Sequence, residues 1–144
     1  MKVTLNRVNQ AVHFEGSAAS SPVKVHIDGS PSIGGEGLGI RPMELVLMAL
    51  GSCSALDLIS ILKKQRQDIS DLQIEVTGHR TDAVPSVFTH IDILFQLFGT
   101  VDTEKAAKAA ALAVKKYCSV HDMLSAGGVD ITYQVVINPT ITSF

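Results

Sequence analysis

Hydrophobic and polar residues alternate near the start of the chain. Residues 2 to 8 place Val3 and Leu5 on one face, and residues 23 to 27 repeat the alternation. A period of two is typical of strands with one buried face. A shorter apolar segment at residues 12 to 14 lies between them, so the pattern predicts a small antiparallel meander.

The longest apolar run covers residues 41 to 67 and predicts a central helix. Pro42 suits the first helical turn, where its missing N–H loses no hydrogen bond. Most positions on every side are apolar or small, so we expect this helix to be buried on nearly all sides. The uncharged stretch between Glu44 and Asp57 is about a dozen residues, shorter than the roughly 18 that cross a bilayer. A core helix is therefore favoured over a membrane span.

The second half of the chain predicts two strands, then helices and then a last strand. A strand from Leu72 to near Arg80 precedes a longer strand at residues 87 to 98. An alanine-rich helix follows at residues 104 to 116, and the last strand occupies residues 129 to 137. Strands separated from helices in this order predict an α+β fold with largely antiparallel sheets, in a single domain of residues 1–144.

Composition and charge narrow the function. The chain of 144 residues has a formal charge of −2, and its basic residues are dispersed among acidic ones. Without a basic stripe we expect no nucleic-acid partner. No charged and then apolar leader opens the chain, so we expect a cytoplasmic protein. Two cysteines, at positions 53 and 118, then act either as buried packing residues or as a redox or nucleophilic pair.

Cys53 on the predicted central helix is either a nucleophile or a small hydrophobic residue in a core. A nucleophilic thiol must ionise near neutral pH, and lowering its pKa from about 8.5 to about 7 requires roughly 2 kcal/mol. The helix dipole acts mainly in the first turn, and Asp57, four positions on, opposes a negative charge. We therefore expect a cation from elsewhere. The candidates are Arg41, Arg7, His79 and Arg80.

Cys118 lies just before a predicted helix. Ser119 followed by Asp122 resembles a capping box, which places Cys118 at the helix start with His121 one turn along. Its thiolate would be stabilised by the unpaired N–H groups there; a cysteine that fills a corner between helices is the alternative. Cys118 and His121 supply only two metal ligands, and the histidines share no helix face, so we expect neither a metal nor a cofactor.

The segments Pro42 to Cys53 and Lys116 to Val120 resemble the OsmC/Ohr family, the osmotically inducible and organic hydroperoxide resistance proteins of bacteria. Residues 54 to 68 make the resemblance closest to the YhfA-like branch, and the order of elements extends it over nearly the whole chain. The resemblance implies an intertwined α+β homodimer, in which sheets from both subunits wrap the long central helices.

The resemblance also implies thiol peroxidase chemistry. Cys53 would attack the peroxide and become a sulfenic acid, and Cys118 would condense with it to a disulfide that an external dithiol reduces. In the best-known members an arginine, held by a glutamate directly after the proline, activates the first cysteine. Here Met43 occupies that position and Glu44 comes one residue later, on another face of the helix. We name Glu44 and Arg41 as candidate activating residues.

Two functions from different classes follow. The first is a dimeric, cytoplasmic enzyme that reduces organic hydroperoxides through Cys53 and Cys118 in oxidative or osmotic stress defence. It would bind its substrate in an apolar pocket and use no membrane or nucleic-acid partner. The second is a protein of the same fold that binds a small molecule and has little peroxidase activity. A purely structural role for both thiols is a third possibility.

Overall fold

The computed structural model describes residues 1–140. The chain forms two compact units, one of residues Met1–Val46 and one that begins at Leu47. The long helix α1, Pro42–Lys64, begins in the first unit and continues in the second. The α+β class predicted from the sequence is confirmed: one three-stranded sheet lies in each unit.

The first unit contains the predicted meander. Strands β1 (Val3–Arg7), β2 (Phe14–Ala18) and β3 (Ser21–Ile27) pair antiparallel in chain order. Apolar side chains of β1 and β3, such as Val3 and Val23, stay exposed. The first unit by itself therefore does not bury the sheet face that the alternation predicted to be buried.

The glycine-rich loop after β3 is held by Asp28. This buried carboxylate accepts hydrogen bonds from the backbone N–H groups of Gly29 at 2.8 Å, Glu36 at 2.9 Å and Leu38 at 3.0 Å. The bond from Leu38 is the largest of the effects that lower the pKa of Asp28. The loop is thus ordered from within by a side chain of the protein itself.

The second unit continues from α1 into a mixed sheet. Strand β4 (Asp68–Arg80) pairs antiparallel with β5 (Phe88–Thr100), and β6 (Asp130–Ile137) pairs parallel with β5. The pairings β1–β2, β2–β3 and β4–β5 are antiparallel, so this parallel pairing departs from the pattern predicted from the sequence. It arises because the helices between β5 and β6 carry the chain back to the end of the sheet where β5 begins, as a crossover connection does.

The crossover consists of three consecutive helical segments. They are α2 (Thr103–Leu112), a π-helical turn (Ala113–Tyr117) and α3 (Ser119–Ala126). Asp102 caps α2, since its side chain accepts from the N–H of Lys105 at 2.8 Å. Several alanines of this region are fully buried, and their small side chains permit close packing.

The core of the second unit lies between α1, the crossover helices and one face of the sheet. On β5 the fully buried residues are Ile91, Ile93, Phe95 and Leu97. Phe88 is also buried although the alternation placed it on the opposite face. A register shift between His79 and Arg80 of β4 changes the alternation at that end of the pair.

Helix α1 buries one stripe rather than its whole circumference. Leu50, Leu58 and Leu62 are fully buried, whereas Met48, Leu56 and Ile59 remain 53%, 71% and 42% exposed. We call these three exposed residues the outer stripe. The expectation of burial on nearly all sides is wrong for one chain, because the second unit covers only one face of the helix. By length and composition α1 is also apolar enough to cross a membrane, a test that soluble core helices pass as well.

Candidate active site

The two cysteines meet in the second unit. Cys53 lies in the middle of α1 and is half-buried, while Cys118, between the π-helical turn and α3, is 1% exposed. Both are free thiols, and each affects the pKa of the other. The Cys118 Sγ also lies 4.0 Å from the carbonyl oxygen of Leu50, three residues before Cys53, so two cysteines that are far apart in the sequence lie close together.

Cys118 is itself the cap of α3. Its backbone is extended, and its Sγ accepts from the N–H of His121 at 3.3 Å. The sequence had suggested Ser119 as the cap, which is wrong by one position. Ser119 is the first helical residue. The Cys118 sulfur accepts from the His121 N–H, as the side-chain oxygen of a serine or aspartate does in an ordinary N-cap. The thiol also donates to the Leu50 carbonyl, with Sγ at 4.0 Å from the oxygen.

The start of α3 stabilises the Cys53 thiolate. Burial is the largest single effect and raises the pKa of Cys53. Hydrogen bonds from the N–H of Val120, the Cys118 thiol, and the hydroxyl and N–H of Ser119 together outweigh it, so the pKa is lowered from its ordinary value. These donors stabilise the thiolate in the way that a nearby cation would.

The pKa of Cys118 moves in the opposite direction. Burial is the main reason that it is raised, and the neighbouring Cys53 adds to the rise. The Ser54 hydroxyl and the N–H of His121 act against it. As pH rises, Cys53 therefore ionises first while Cys118 keeps its proton. This difference suits a pair in which one cysteine is the nucleophilic thiolate and the other stays protonated until it is needed to form a disulfide.

Three contributors were missed from the sequence: Ser54, Ser119 and Val120. Ser54 is fully buried and its hydroxyl donates to the Leu50 carbonyl at 3.0 Å. A polar residue directly after Cys53 in an apolar run was the available signal. Ser119 and Val120 directly follow Cys118, so a helix start there already offered N–H donors, but only the fold directs them at Cys53.

Glu44 and Arg41 meet at the start of α1, in the first unit. Glu44 Oε2 accepts from the backbone N–H of Arg41 at 2.9 Å, so the carboxylate takes part in the helix start. The role of these two residues in activating Cys53 stays a prediction.

The other candidate cations have local partners. The Arg7 guanidinium donates to the carbonyls of Gln10 and Ala11 within the first hairpin. His79 lies 3.3 Å from Asp92, and Arg80 donates to the Ser86 carbonyl at 2.8 Å. Over residues 1–140 the structure brings no three metal-ligating side chains together.

A groove of about 420 Å³ runs beside the second half of α1. Asp57, one turn beyond Cys53, and Tyr117, the neighbour of Cys118, both line it. Its other lining residues are Ser60, Ile61, Lys64, Gln65 and Leu112. The groove therefore presents charged and polar groups beside apolar ones.

Comparisons with known proteins agree with this architecture. The family model described as OsmC-like protein matches residues 34–134. Protein YhfA of Escherichia coli K12 is 47% identical over 98 residues, which cover 66% of this chain and 72% of YhfA.

Solved structures share the fold. A hypothetical protein from Aquifex aeolicus superposes with a TM-score of 0.78 at 30% identity, covering 96% of this chain and 97% of that one. The organic hydroperoxide resistance protein OhrB of Bacillus subtilis superposes with a TM-score of 0.62 at 22% identity, covering 94% and 96%. The family match extends over more than half of the sequence and includes both cysteines. This chain belongs to the OsmC-like protein family.

Proposed function

We propose that this protein is a thiol-dependent hydroperoxide reductase that acts on organic hydroperoxides through Cys53 and Cys118. The observation that carries the proposal is the placement of the two free thiols: Cys118 caps α3, and its Sγ lies 4.0 Å from the Leu50 carbonyl oxygen, in the turn of α1 just before Cys53. Donors at the start of α3 outweigh burial and lower the pKa of Cys53, which supports a nucleophilic role for this thiol. The name of OhrB, which shares this fold, supports the same class of substrate.

The proposed reaction has three steps. The Cys53 thiolate attacks one peroxide oxygen; an S–O bond forms, the O–O bond breaks, and the departing alkoxide takes a proton to become an alcohol. Cys118 then attacks the sulfur of the Cys53 sulfenic acid, so that an S–S bond forms and hydroxide leaves, which becomes water with the Cys118 proton. An external dithiol exchanges with this disulfide and restores both thiols as it is oxidised.

The working protein in this proposal is a cytoplasmic homodimer used in stress defence. The outer stripe of α1 is apolar and exposed, and the sheet of the first unit exposes Val3, Leu5 and Val23. Exposed apolar surface of this kind marks an interaction site, and a second copy of the chain is the occupant that the family fold implies. An apolar environment beside Cys53 would then favour hydroperoxides with apolar tails, by roughly 0.8 kcal/mol per buried methylene.

The test compares a bulky organic hydroperoxide with hydrogen peroxide in turnover with a small dithiol. We expect the organic compound to be consumed faster, Cys53→Ser to abolish turnover, and Cys118→Ser to leave a sulfenic acid on Cys53 that dimedone traps. Undiminished turnover in Cys118→Ser would contradict the resolving role, and undiminished turnover in Cys53→Ser would contradict the whole proposal.

The second candidate is a small-molecule binding protein with weakly reactive thiols. The groove beside α1, with Lys64 and Asp57 among its lining residues, is the observation that favours it. In that case Cys53 would titrate near the ordinary thiol value of about 8.5, and peroxide would not be consumed. Rapid alkylation of Cys53 below that pH favours the reductase instead.

A further inference from the structure

The fully buried hydroxyl of Ser54 lies beside the thiol that must attack second. Ser54 follows Cys53 on α1, and its Oγ donates to the Leu50 carbonyl at 3.0 Å. The Cys118 sulfur lies 4.0 Å from the same carbonyl oxygen. A hydroxyl and a thiol thus meet at one acceptor, and each has a single proton to donate.

The environment of Cys118 makes its thiolate costly. The sulfur is buried, and in the resting thiol it accepts from the N–H of His121 at 3.3 Å. The titratable group beside it on α1 is Cys53. On α3 the titratable groups are His121 and Asp122, whose Nδ1 and Oδ1 atoms lie 3.4 Å apart. When Cys53 becomes a neutral sulfenic acid, its charge no longer opposes ionisation of Cys118. Burial then remains the main obstacle.

A hydroxyl can change its acceptor by rotation. In the resting thiol, the Leu50 carbonyl receives the Ser54 hydroxyl, and the Cys118 S–H points toward the same oxygen. When Cys118 loses its proton it ceases to be a donor and becomes a charged acceptor. Because the Ser54 Oγ and the Cys118 Sγ lie 3.0 Å and 4.0 Å from the same carbonyl oxygen, rotation of the hydroxyl can redirect its proton toward the sulfur. Hydrogen bonds to charged acceptors are stronger than those to neutral carbonyls, so rotation toward the thiolate is favourable.

We infer that Ser54 is a positioning residue for disulfide formation, whose hydroxyl turns from the Leu50 carbonyl to the Cys118 sulfur as that thiol ionises. The inference rests on the proposed function, in which the Cys118 thiolate attacks oxidised Cys53. In that step the S–S bond forms, the S–O bond of the sulfenic acid breaks, and the hydroxide leaves as water with the proton that Cys118 released. Ser54 keeps its own proton throughout.

The first experiment isolates Cys118. In a Cys53→Ala protein it is the sole cysteine, and the chain has no tryptophan, so the ultraviolet absorbance of the thiolate reports its ionisation. Adding Ser54→Ala should move the inflection upward by about one pH unit, a tenfold change in the ionisation constant. The matched control is Ser52→Ala, because the Ser52 hydroxyl donates to the Met48 carbonyl at 2.7 Å with the same four-residue spacing. The control should leave the inflection in place.

The second experiment uses the protein with both cysteines. After one equivalent of cumene hydroperoxide, quenched samples are assayed for trapped sulfenic acid and for disulfide over a range of pH. Without the Ser54 hydrogen bond, a smaller fraction of Cys118 is thiolate, but each thiolate is more nucleophilic because nucleophilicity rises with the thiol pKa, with a Brønsted coefficient of about 0.4–0.5. Ser54→Ala should therefore slow disulfide formation about threefold below both inflections, shift the pH profile upward, and reach an equal or higher rate above it.

The outcomes separate the two proposals. An unmoved inflection in Ser54→Ala, or a rate that falls by the same factor at every pH, overturns the role of Ser54 while leaving the peroxidase standing. If the wild-type protein forms neither sulfenic acid nor disulfide with the hydroperoxide, the proposed function fails, and the resolving step fails with it. Circular dichroism and thermal melting of Ser54→Ala and Ser52→Ala check that both variants fold.

Discussion

The outer stripe of α1 leads to a quantitative prediction about assembly. Leu56 is 71% exposed in one chain, between Met48 and Ile59 on the same face of the helix. Burying a leucine side chain contributes about 1.5–3 kcal/mol. In a twofold-symmetric dimer each change occurs twice, so Leu56→Ala removes about 4 kcal/mol from association. Since 1.4 kcal/mol is a factor of ten, the dimer dissociation constant should rise roughly a thousandfold.

Sedimentation velocity over a dilution series measures this change. The wild-type protein should remain dimeric at concentrations where Leu56→Ala dissociates. Val84→Ala is the matched control, because Val84 is a fully exposed apolar residue in the loop between β4 and β5, away from the stripe. A wild-type protein that sediments as a monomer, or equal dissociation constants for Leu56→Ala and Val84→Ala, would refute the reasoning.

Three further predictions concern single side chains. Ser119→Ala removes one donor to the Cys53 thiolate, so the pH dependence of Cys53 alkylation should move upward by up to about one unit; an unchanged profile would remove Ser119 from the site. Asp28→Asn should lower the melting temperature. The pKa of Asp28 is lowered in the folded protein, so the difference in melting temperature between the wild-type protein and Asp28→Asn should be full above the ordinary carboxyl pKa of about 3.9. The difference should disappear as pH falls through the folded pKa. A difference of the same size at every pH would contradict the account. Gly51→Ala should lower the free energy of unfolding in denaturant by about 1–3 kcal/mol, although alanine has the better helix propensity, because a Cβ at position 51 would lie 2.8 Å from Val76 Cγ2. Adding Val76→Ala should restore part of this loss. A single Gly51→Ala variant that is more stable than wild type would show that the helix can shift to make room.

Local patterns predicted much of the fold. The alternation around Val3 and Leu5 predicted the first meander, and the apolar run after Pro42 predicted α1, which ends at Lys64. Both signals come from neighbours in sequence, and a strand or helix period determines which residues share a face. The parallel direction of β6 has no such local signal, because it depends on where α2 and α3 return the chain.

The limits are similar at the candidate site. The cysteine pair was predicted from two short segments and a resemblance, and the structure places Cys118 against the turn of α1 that precedes Cys53. The donors to Cys53 come from residues 119 and 120, beyond two strands and a helix, so no periodicity within α1 indicates them. The expectation of an activating cation stays a prediction, but backbone N–H groups at the start of α3 are a second source of positive potential, which the sequence argument for Cys53 did not include.

Burial around α1 shows a different kind of limit. Its composition predicted a helix covered on all sides, whereas one chain covers only the stripe that contains Leu50 and Leu58. The sequence encodes every surface that must be apolar, but it does not say whether the same chain or a second copy covers it. Substitution of the exposed residues of the outer stripe tests whether a second copy covers them.

The most direct test of the central claim is the state of the two sulfurs after one turnover. The reduced protein is treated with one equivalent of an organic hydroperoxide, alkylated without reductant, and analysed by intact and peptide mass spectrometry. The account predicts a loss of two hydrogen atoms per chain and a crosslinked peptide pair that contains Cys53 and Cys118. Full alkylation of both cysteines, with the hydroperoxide unconsumed, would contradict it.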